Sequence, residues 1–212
     1  DASANKLIVP LIDKIINAYI NLCTPVSVKV ISDLPEDSAY LRKAALSRGE
    51  EFPLNTPGHT VHFDGYSDQG RDTEHTRILI TDNMHSDPAI NSMNREQGLD
   101  EILQLMKGIM SGKEMFVLFF IIGPHNSHFS IPTLQITDSA YVAHSSDMLY
   151  RNGYAEFIRP GESRDFFTFI HSAGELDSTG VSVNTDKRRI YVDLLSDTVF
   201  TINNQYAGNS IG

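Results

Sequence analysis

The sequence predicts an α/β (α+β) fold in which a mixed β-sheet is flanked by helices. Three features lead there. Segments with helical spacing and segments rich in β-branched residues are mixed along the chain without strict alternation. Eight consecutive apolar residues, Met115 to Ile122, have the length of one strand buried on both faces. The last third is rich in short β-type runs. At 212 residues, 41% hydrophobic and 21% charged, the chain has the make-up of an ordinary globular protein. A domain of this size hides roughly 70% of its unfolded surface, enough to cohere without a metal or disulfide. One large domain over 1–212, with or without a small lobe, is therefore expected.

Taken in order, Leu7 to Leu22 places Leu7, Leu11, Ile15, Ile16 and Tyr19 at helical spacing, with Asp13, Lys14 and Asn17 off that stripe. Val26 to Ile31 reads as a β-branched strand closed by Ser32-Asp33, a helix N-cap or turn signal. Asp37 to Ser47 reads as a helix stopped at Gly49. Asn55 to Thr76, with Pro57, Gly58, Gly65 and Gly70, reads as a loop, and a loop of that length is usually functional or mobile. Arg77 to Thr81 is a strand and Asp82 to Gly98 a loop. Leu99 to Ser111 is a helix with Leu99, Ile102, Leu103, Met106 and Ile109 on one face. The buried strand Met115 to Ile122 follows, then a strand Thr133 to Thr137 and a helix Tyr141 to Arg151 stopped at Gly153. Phe166 to His171, Arg189 to Leu194 and Thr198 to Ile202 are strands, the last two joined by a hairpin turn at Leu195-Ser196-Asp197.

Composition excludes several function classes. A net charge of -10 with scattered Lys and Arg disfavours a nucleic-acid partner, and Lys187-Arg188-Arg189 is too short a run to reverse that. Such a field also repels anionic substrates, so an anion site must be built locally from Arg and backbone amides. The single Cys23 excludes an internal disulfide and a multi-cysteine zinc site, and its apolar surroundings suit a small buried hydrophobe. No secretory leader, membrane span or Asn-x-Ser/Thr sequon is visible, so a reducing, cytoplasmic setting is expected.

Several constellations could carry chemistry. The buried strand opens into Gly123-Pro124-His125-Asn126-Ser127, and the chain returns through Thr137-Asp138-Ser139, delivering side chains and amides to the edge of a core. His59, His62 and Asp64 offer transition-metal donors, but the flanking Gly and Pro rule out a regular helix and no hydrolytic zinc motif is present. Asp64, Asp68, Asp72 and Glu74 are acidic but lack the calcium-loop pattern, which favours a solvated loop. Arg71 either grips a carboxylate bidentately or balances Asp68, Asp72 or Glu74. The segment from Asn203 to Ser210 places Tyr206 and Gly208 after a strand. There free amides, a ring edge and close main-chain approach suit an anion, and a loose polar tail is the bland alternative. His171-Ser172 gives no defensible Ser–His–Asp order, and neither a Gly-x-x-x-x-Gly-Lys-Ser/Thr nor a Gly-x-Gly-x-x-Gly motif occurs.

Several of these segments together resemble the amino-terminal domain of the GTP-type phosphoenolpyruvate carboxykinases, or of a divergent pyrophosphate-type relative. Gly70-Arg71 through Thr81 resembles an Ala-Arg segment leading into a strand, and Gly112-Lys113-Glu114-Met115 a Gly-Arg-Thr-Met strand entry. Gly123-Pro124 and Thr137-Asp138-Ser139-Ala140-Tyr141-Val142 form the most similar block. Ile170-His171-Ser172-Ala173-Gly174 resembles Leu-His-Ser-Val-Gly, and Tyr206-Ala207-Gly208-Asn209-Ser210 resembles Tyr-Gly-Gly-Asn-Ser. Ala207 replaces a family Gly, and Asn126 stands where Gly is usual.

The resemblance implies that Arg71, Tyr206 and Gly208, with Asn209 in the same turn, bind the carboxylate of oxaloacetate or phosphoenolpyruvate. It implies Mn2+ or Mg2+ and GTP, or another phosphoryl donor, in the complete enzyme, neither held by this chain alone. Residues 1–212 would then be a substrate-binding domain, inactive by itself, partnered by a carboxy-terminal nucleotide and metal domain absent from this chain. Neither a nucleic acid nor a membrane is implied. A stand-alone module for small carboxylates or a divalent ion, using the loop from Asn55 to Glu74, is the alternative.

Overall fold

The computed structural model describes residues 10–65, 72–84, 89–125, 127, 129–158 and 165–205. The elements are α1 (Pro10–Cys23), β1 (Ser27–Val30), α2 (Pro35–Ser47), β2 (Phe52–Pro53), β3 (Thr60–Val61), β4 (Thr76–Ile80), β5 (Ser92–Asn94) and α3 (Arg95–Met106). They continue with β6 (Glu114–Ile122), β7 (Ile131–Thr137), α4 (Ala140–Leu149), β8 (Arg151–Asn152), α5 (Tyr154–Ile158), β9 (Phe167–Ser172), β10 (Arg189–Asp193) and β11 (Thr198–Ile202). Among the described residues nine strands form one sheet in the order β1-β6-β7-β9-β11-β10-β4-β5, with β8 pairing off β6, while β2 and β3 form a separate small ribbon.

The sheet is mixed and its strand senses position the site. β7, β9 and β11 are mutually parallel neighbours. β6 lies antiparallel to β7, and β10 antiparallel to β11, while β1 is parallel to β6 and β4 to β10. The carboxyl ends of β7, β9 and β11 therefore share one sheet edge with the amino ends of β1, β6, β10 and β4.

Alternating side chains of β6 explain its unbroken apolar run. Met115, Val117 and Phe119 join Ile12 and Ile16 of α1, Ile102 and Met106 of α3, and Phe157 of α5 in one core. Phe116, Leu118 and Phe120 pack on the opposite face with Leu41, Ala44 and Ala45 of α2 and Ala140 and Ala143 of α4. The small alanines allow α2 and α4 to lie close to each other over the sheet. Cys23 is fully buried, and burial, with a smaller effect from the Asp138 charge, pushes its thiol up to about 12.

The structure corrects several sequence-based boundaries. The helix expected from Asp37 starts at Pro35, whose fixed φ suits the first helical turn. Leu34 holds the cap position without a side-chain cap. Ser32 instead donates its amide (2.8 Å) and hydroxyl (2.5 Å) to the Asp37 carboxylate, so it marks the turn rather than the cap. The helix expected over Leu99 to Ser111 is α3, capped by Asn94, whose Oδ1 accepts from the amides of Glu96 (3.0 Å) and Gln97 (3.2 Å). It ends before Gly108, which adopts φ 71°. Gly98 had suggested loop, yet it is helical because its missing side chain admits buried Leu79. The supposed loop from Asp82 to Gly98 thus contains β5 and the first turn of α3. The Asn55 to Thr76 stretch contains β3, and the helix expected through Arg151 ends at Leu149 because Arg151 and Asn152 pair with β6. Neither α5 nor a 3-10 turn at Thr185–Lys187 was anticipated.

Gly153 joins β8 to α5 against the β6 backbone, where an added Cβ would lie 2.7 Å from the Phe120 carbonyl carbon. Backbone cannot rotate away as a side-chain tip can. Gly153→Ala is expected to destabilise by about 1–3 kcal/mol in denaturant unfolding; a change within about 0.5 kcal/mol would contradict this packing.

Candidate functional site

In sheets with parallel strands, ligands bind in the crevice outside the carboxyl ends. Here those ends carry Thr137-Asp138-Ser139 after β7, Ser172-Ala173-Gly174 after β9 and Asn203-Asn204-Gln205 after β11. Three of the blocks that stood out in the sequence therefore emerge side by side.

Asp138 is the hub of this edge, with no exposed side-chain surface. Its Oδ2 accepts from Ser172 Oγ (2.6 Å) and Lys113 Nζ (2.9 Å), and its Oδ1 from the Ala173 amide (2.9 Å). Lys113, reaching in from the start of β6, also donates to the Gly174 carbonyl. Both oxygens of the buried carboxylate are thus hydrogen-bonded, as its burial requires. A cavity of about 590 Å3 lined by Glu50, Lys113, Asp138 and Ser139 lies on one side of Lys113. Another of about 670 Å3, lined by Gly108, Gly174, Lys187 and Asn203, lies on the other. Both have the size of small-molecule sites.

His171 locks the deeper layer. Its Nε2 is 2.9 Å from the Asn204 carbonyl, which can only accept, so Nε2 carries the proton. The opposite Nδ1 then accepts from Thr137 Oγ1 at 2.7 Å. Burial holds this imidazole below its ordinary 6.5, against the Asp138 charge and the Asn204 bond that favour the cation. Asn203 adopts φ 56° and its amide donates to the Ser172 carbonyl at 2.9 Å. Its side chain fills the space over Gly174 that a Cβ would claim. Asn203, Asn204 and Gln205 are 5%, 1% and 4% exposed, so the chain leaving β11 is not a loose polar tail as far as Gln205.

Arg71, Tyr206, Gly208 and Asn209 lie outside the described residues, as does Asp68. The residues that lead to them are described, and they meet. Arg188, 7% exposed at the entry to β10, donates from Nη1 to Asp72 Oδ2 (3.3 Å) and from Nε to the Asn203 carbonyl (3.4 Å). Asp72 also accepts from the His75 amide (3.0 Å) and ring (2.9 Å). Burial works to raise this carboxyl, but those bonds win and hold it below its ordinary 3.8.

The metal candidates fare differently. His62 stacks on Tyr141 at 3.5 Å and donates from Nδ1 to the Glu50 carbonyl (2.6 Å), leaving Nε2 3.5 Å from Asp64 Oδ1. His59 stands exposed. Among the described residues no group of three or more His, Cys, Asp or Glu is placed to hold a metal ion. No described helix is long and apolar enough to cross a membrane. Sequence reasoning noted Arg188 only within the short run Lys187-Arg188-Arg189 and gave it no role, whereas it is buried and Arg189 pairs with Glu101 at 2.7 Å. Only its place just before a strand hinted at this.

Comparison with known proteins matches residues 14–212 to the family model described as phosphoenolpyruvate carboxykinase N-terminal domain. A protein of Pyrococcus horikoshii named phosphoenolpyruvate carboxykinase [GTP] is 53% identical over 96% of this chain and 32% of its own length. Proteins of the same name from Thermococcus kodakarensis and Saccharolobus solfataricus are 54% and 44% identical over 96% of the chain and 32% and 31% of their own lengths. The chain spans about a third of the length of these curated relatives.

Two outcomes follow from the edge geometry. Lys113→Met strands a buried carboxylate and is expected to cost about 3–5 kcal/mol in unfolding free energy; a loss below about 1 kcal/mol would contradict Asp138's reliance on this ammonium. His171 has a depressed folded pKa, so below pH 6.5 the unfolded chain takes up a proton that the native state refuses. Stability then falls with decreasing pH by up to about 1.4 kcal/mol per unit. Asp72 adds its own loss only as pH approaches and passes below its ordinary 3.8. In His171→Gln the slope between pH 6.5 and about 5 should flatten; an unchanged slope would assign it elsewhere.

Proposed function

We propose, for a chain that belongs to the phosphoenolpyruvate carboxykinase N-terminal domain family, that residues 1–212 are the substrate-binding domain of a longer GTP-dependent enzyme. That enzyme would decarboxylate oxaloacetate and transfer a phosphoryl group from GTP to the resulting enolate oxygen, giving phosphoenolpyruvate, CO2 and GDP, or run the reverse. In this reading Arg71 grips the substrate carboxylate, and the Tyr206 ring edge, the Gly208 amide and Asn209 complete its cradle.

The observation that carries the reading is the convergence of the described residues beside these positions. Asp72 follows Arg71 directly, Asn203 to Gln205 lead directly to Tyr206, and both segments are held by Arg188 at the carboxyl edge of β11. This supports a guanidinium and a glycine-containing turn sharing one pocket, as a dicarboxylic acid requires. The net charge of -10 makes such local anion recognition necessary.

The Mn2+ or Mg2+ ion and the GTP of the complete enzyme are assigned to the rest of the longer protein. Among the described residues no group of three or more His, Cys, Asp or Glu could hold such an ion. The single buried, unpaired cysteine accords with a reducing, cytoplasmic setting. A stand-alone carboxylate or cation module has less support, because the relatives described above are about three times as long.

Arg71→Met in the full-length protein is expected to raise KM for oxaloacetate and phosphoenolpyruvate by roughly 10- to 100-fold, the loss of a charge-assisted pair. KM for GTP should stay near the parent value. Steady-state kinetics giving an unaltered KM for both organic acids would sink the assignment.

A further inference from the structure

We infer that Arg188 is a positioning residue for carboxylate recognition. It holds Asp72 and the Asn203 turn together, and these are the described residues that lead to Arg71 and Tyr206. The inference rests on the reading above, in which Arg71, Tyr206 and Gly208 bind the organic acid.

The geometry is specific to the place where Arg188 sits. β10 lies between β4 and β11 in the sheet, so the residue entering β10 has the amino end of one neighbour and the carboxyl end of the other within reach. Arg188 uses both. Its Nη1 donates to Asp72 Oδ2 and its Nε to the Asn203 carbonyl, 3.3 Å and 3.4 Å away. Backbone pairing alone fixes the strands, with the Ile190 amide on the His75 carbonyl at 3.0 Å. It holds Asn203 to β9 through its amide on the Ser172 carbonyl, but among the described residues it does not link Asp72 to the Asn203 turn. A buried guanidinium with donors in a fixed fork can bridge both, whereas a lysine ammonium has no such fork.

Asp72 is held from more than one side. Here the Asp72 carboxylate is bonded by the His75 amide, the His75 ring and Arg188. Its depressed pKa is the signature of those donors prevailing over burial. Removing Arg188 would release Asp72 and the Asn203 turn from each other, while GTP binding would have no reason to change.

The test uses the full-length protein with Arg188→Met, Arg188→Lys and Arg71→Met, measuring KM for phosphoenolpyruvate and for GDP, kcat, and Tm. The expected result for Arg188→Met is a KM for phosphoenolpyruvate raised roughly tenfold, with KM for GDP near the parental value and Tm lowered by the loss of a buried partner for Asp72. Arg188→Lys should recover part of that rise. An unchanged KM for phosphoenolpyruvate in Arg188→Met, beside a raised one in Arg71→Met, overturns the inference and leaves the reading of the site intact. A comparable rise in both KM values would make Arg188 a structural residue and also overturns it. If Arg71→Met itself leaves KM for phosphoenolpyruvate unchanged, the site reading fails and the inference goes with it.

Discussion

The site edge depends on one buried charge. Asp138 has no exposed side-chain surface, and an ionised carboxylate is tolerated there only because an ammonium, a hydroxyl and a backbone amide all point at it. Those three donors come from three different places: the entry to β6, the last residue of β9 and the residue after it. A single carboxylate therefore ties together strands whose side-chain packing would allow some sliding. Its demand for partners is what makes the geometry definite. Ser172 also accepts from the Gly174 amide, so the turn after β9 is drawn into the same network.

From that anchor the polar edge continues outward in steps. His171, one residue before Ser172, bridges Thr137 to the Asn204 carbonyl and so fastens the turn after β11 to the one after β7. Asn203 follows the turn after β9 through the Ser172 carbonyl, and Arg188 carries the connection to Asp72. The apolar layers on both sides of β6 supply the rigid base, and the hydrogen-bonded edge supplies the shape. In this acidic protein Lys113 and Arg188 are each fixed by an individual carboxylate, Asp138 and Asp72, rather than by an overall positive field.

Much of the fold was legible in the sequence, for identifiable reasons. The run from Met115 to Ile122 could only be a strand covered on both faces, and the two core clusters on its alternating residues show why. The final hairpin was marked by its turn, where Asp197 takes φ 47°. Helix starts were misjudged where a polar or glycine residue carried the signal, as with Asn94 capping α3 and Gly98 packing inside it. Of the site, Thr137-Asp138-Ser139 and His171-Ser172 were recognisable as blocks, but their mutual contact spans 34 residues and no local pattern encodes it. Arg188 was passed over because a buried and an exposed arginine look alike in a string of letters. The proposed ligand residues Arg71, Tyr206, Gly208 and Asn209 rest on resemblance and on their described neighbours.

Cys23 has a practical consequence. A thiol with no exposed surface, whose pKa burial pushes well above the usual thiol range, offers little thiolate and no access, so maleimides and disulfide reagents should pass it by. A spectroscopic reporter attached to a cysteine introduced at the site edge would then be the sole adduct on this domain, without first replacing the native sulfur.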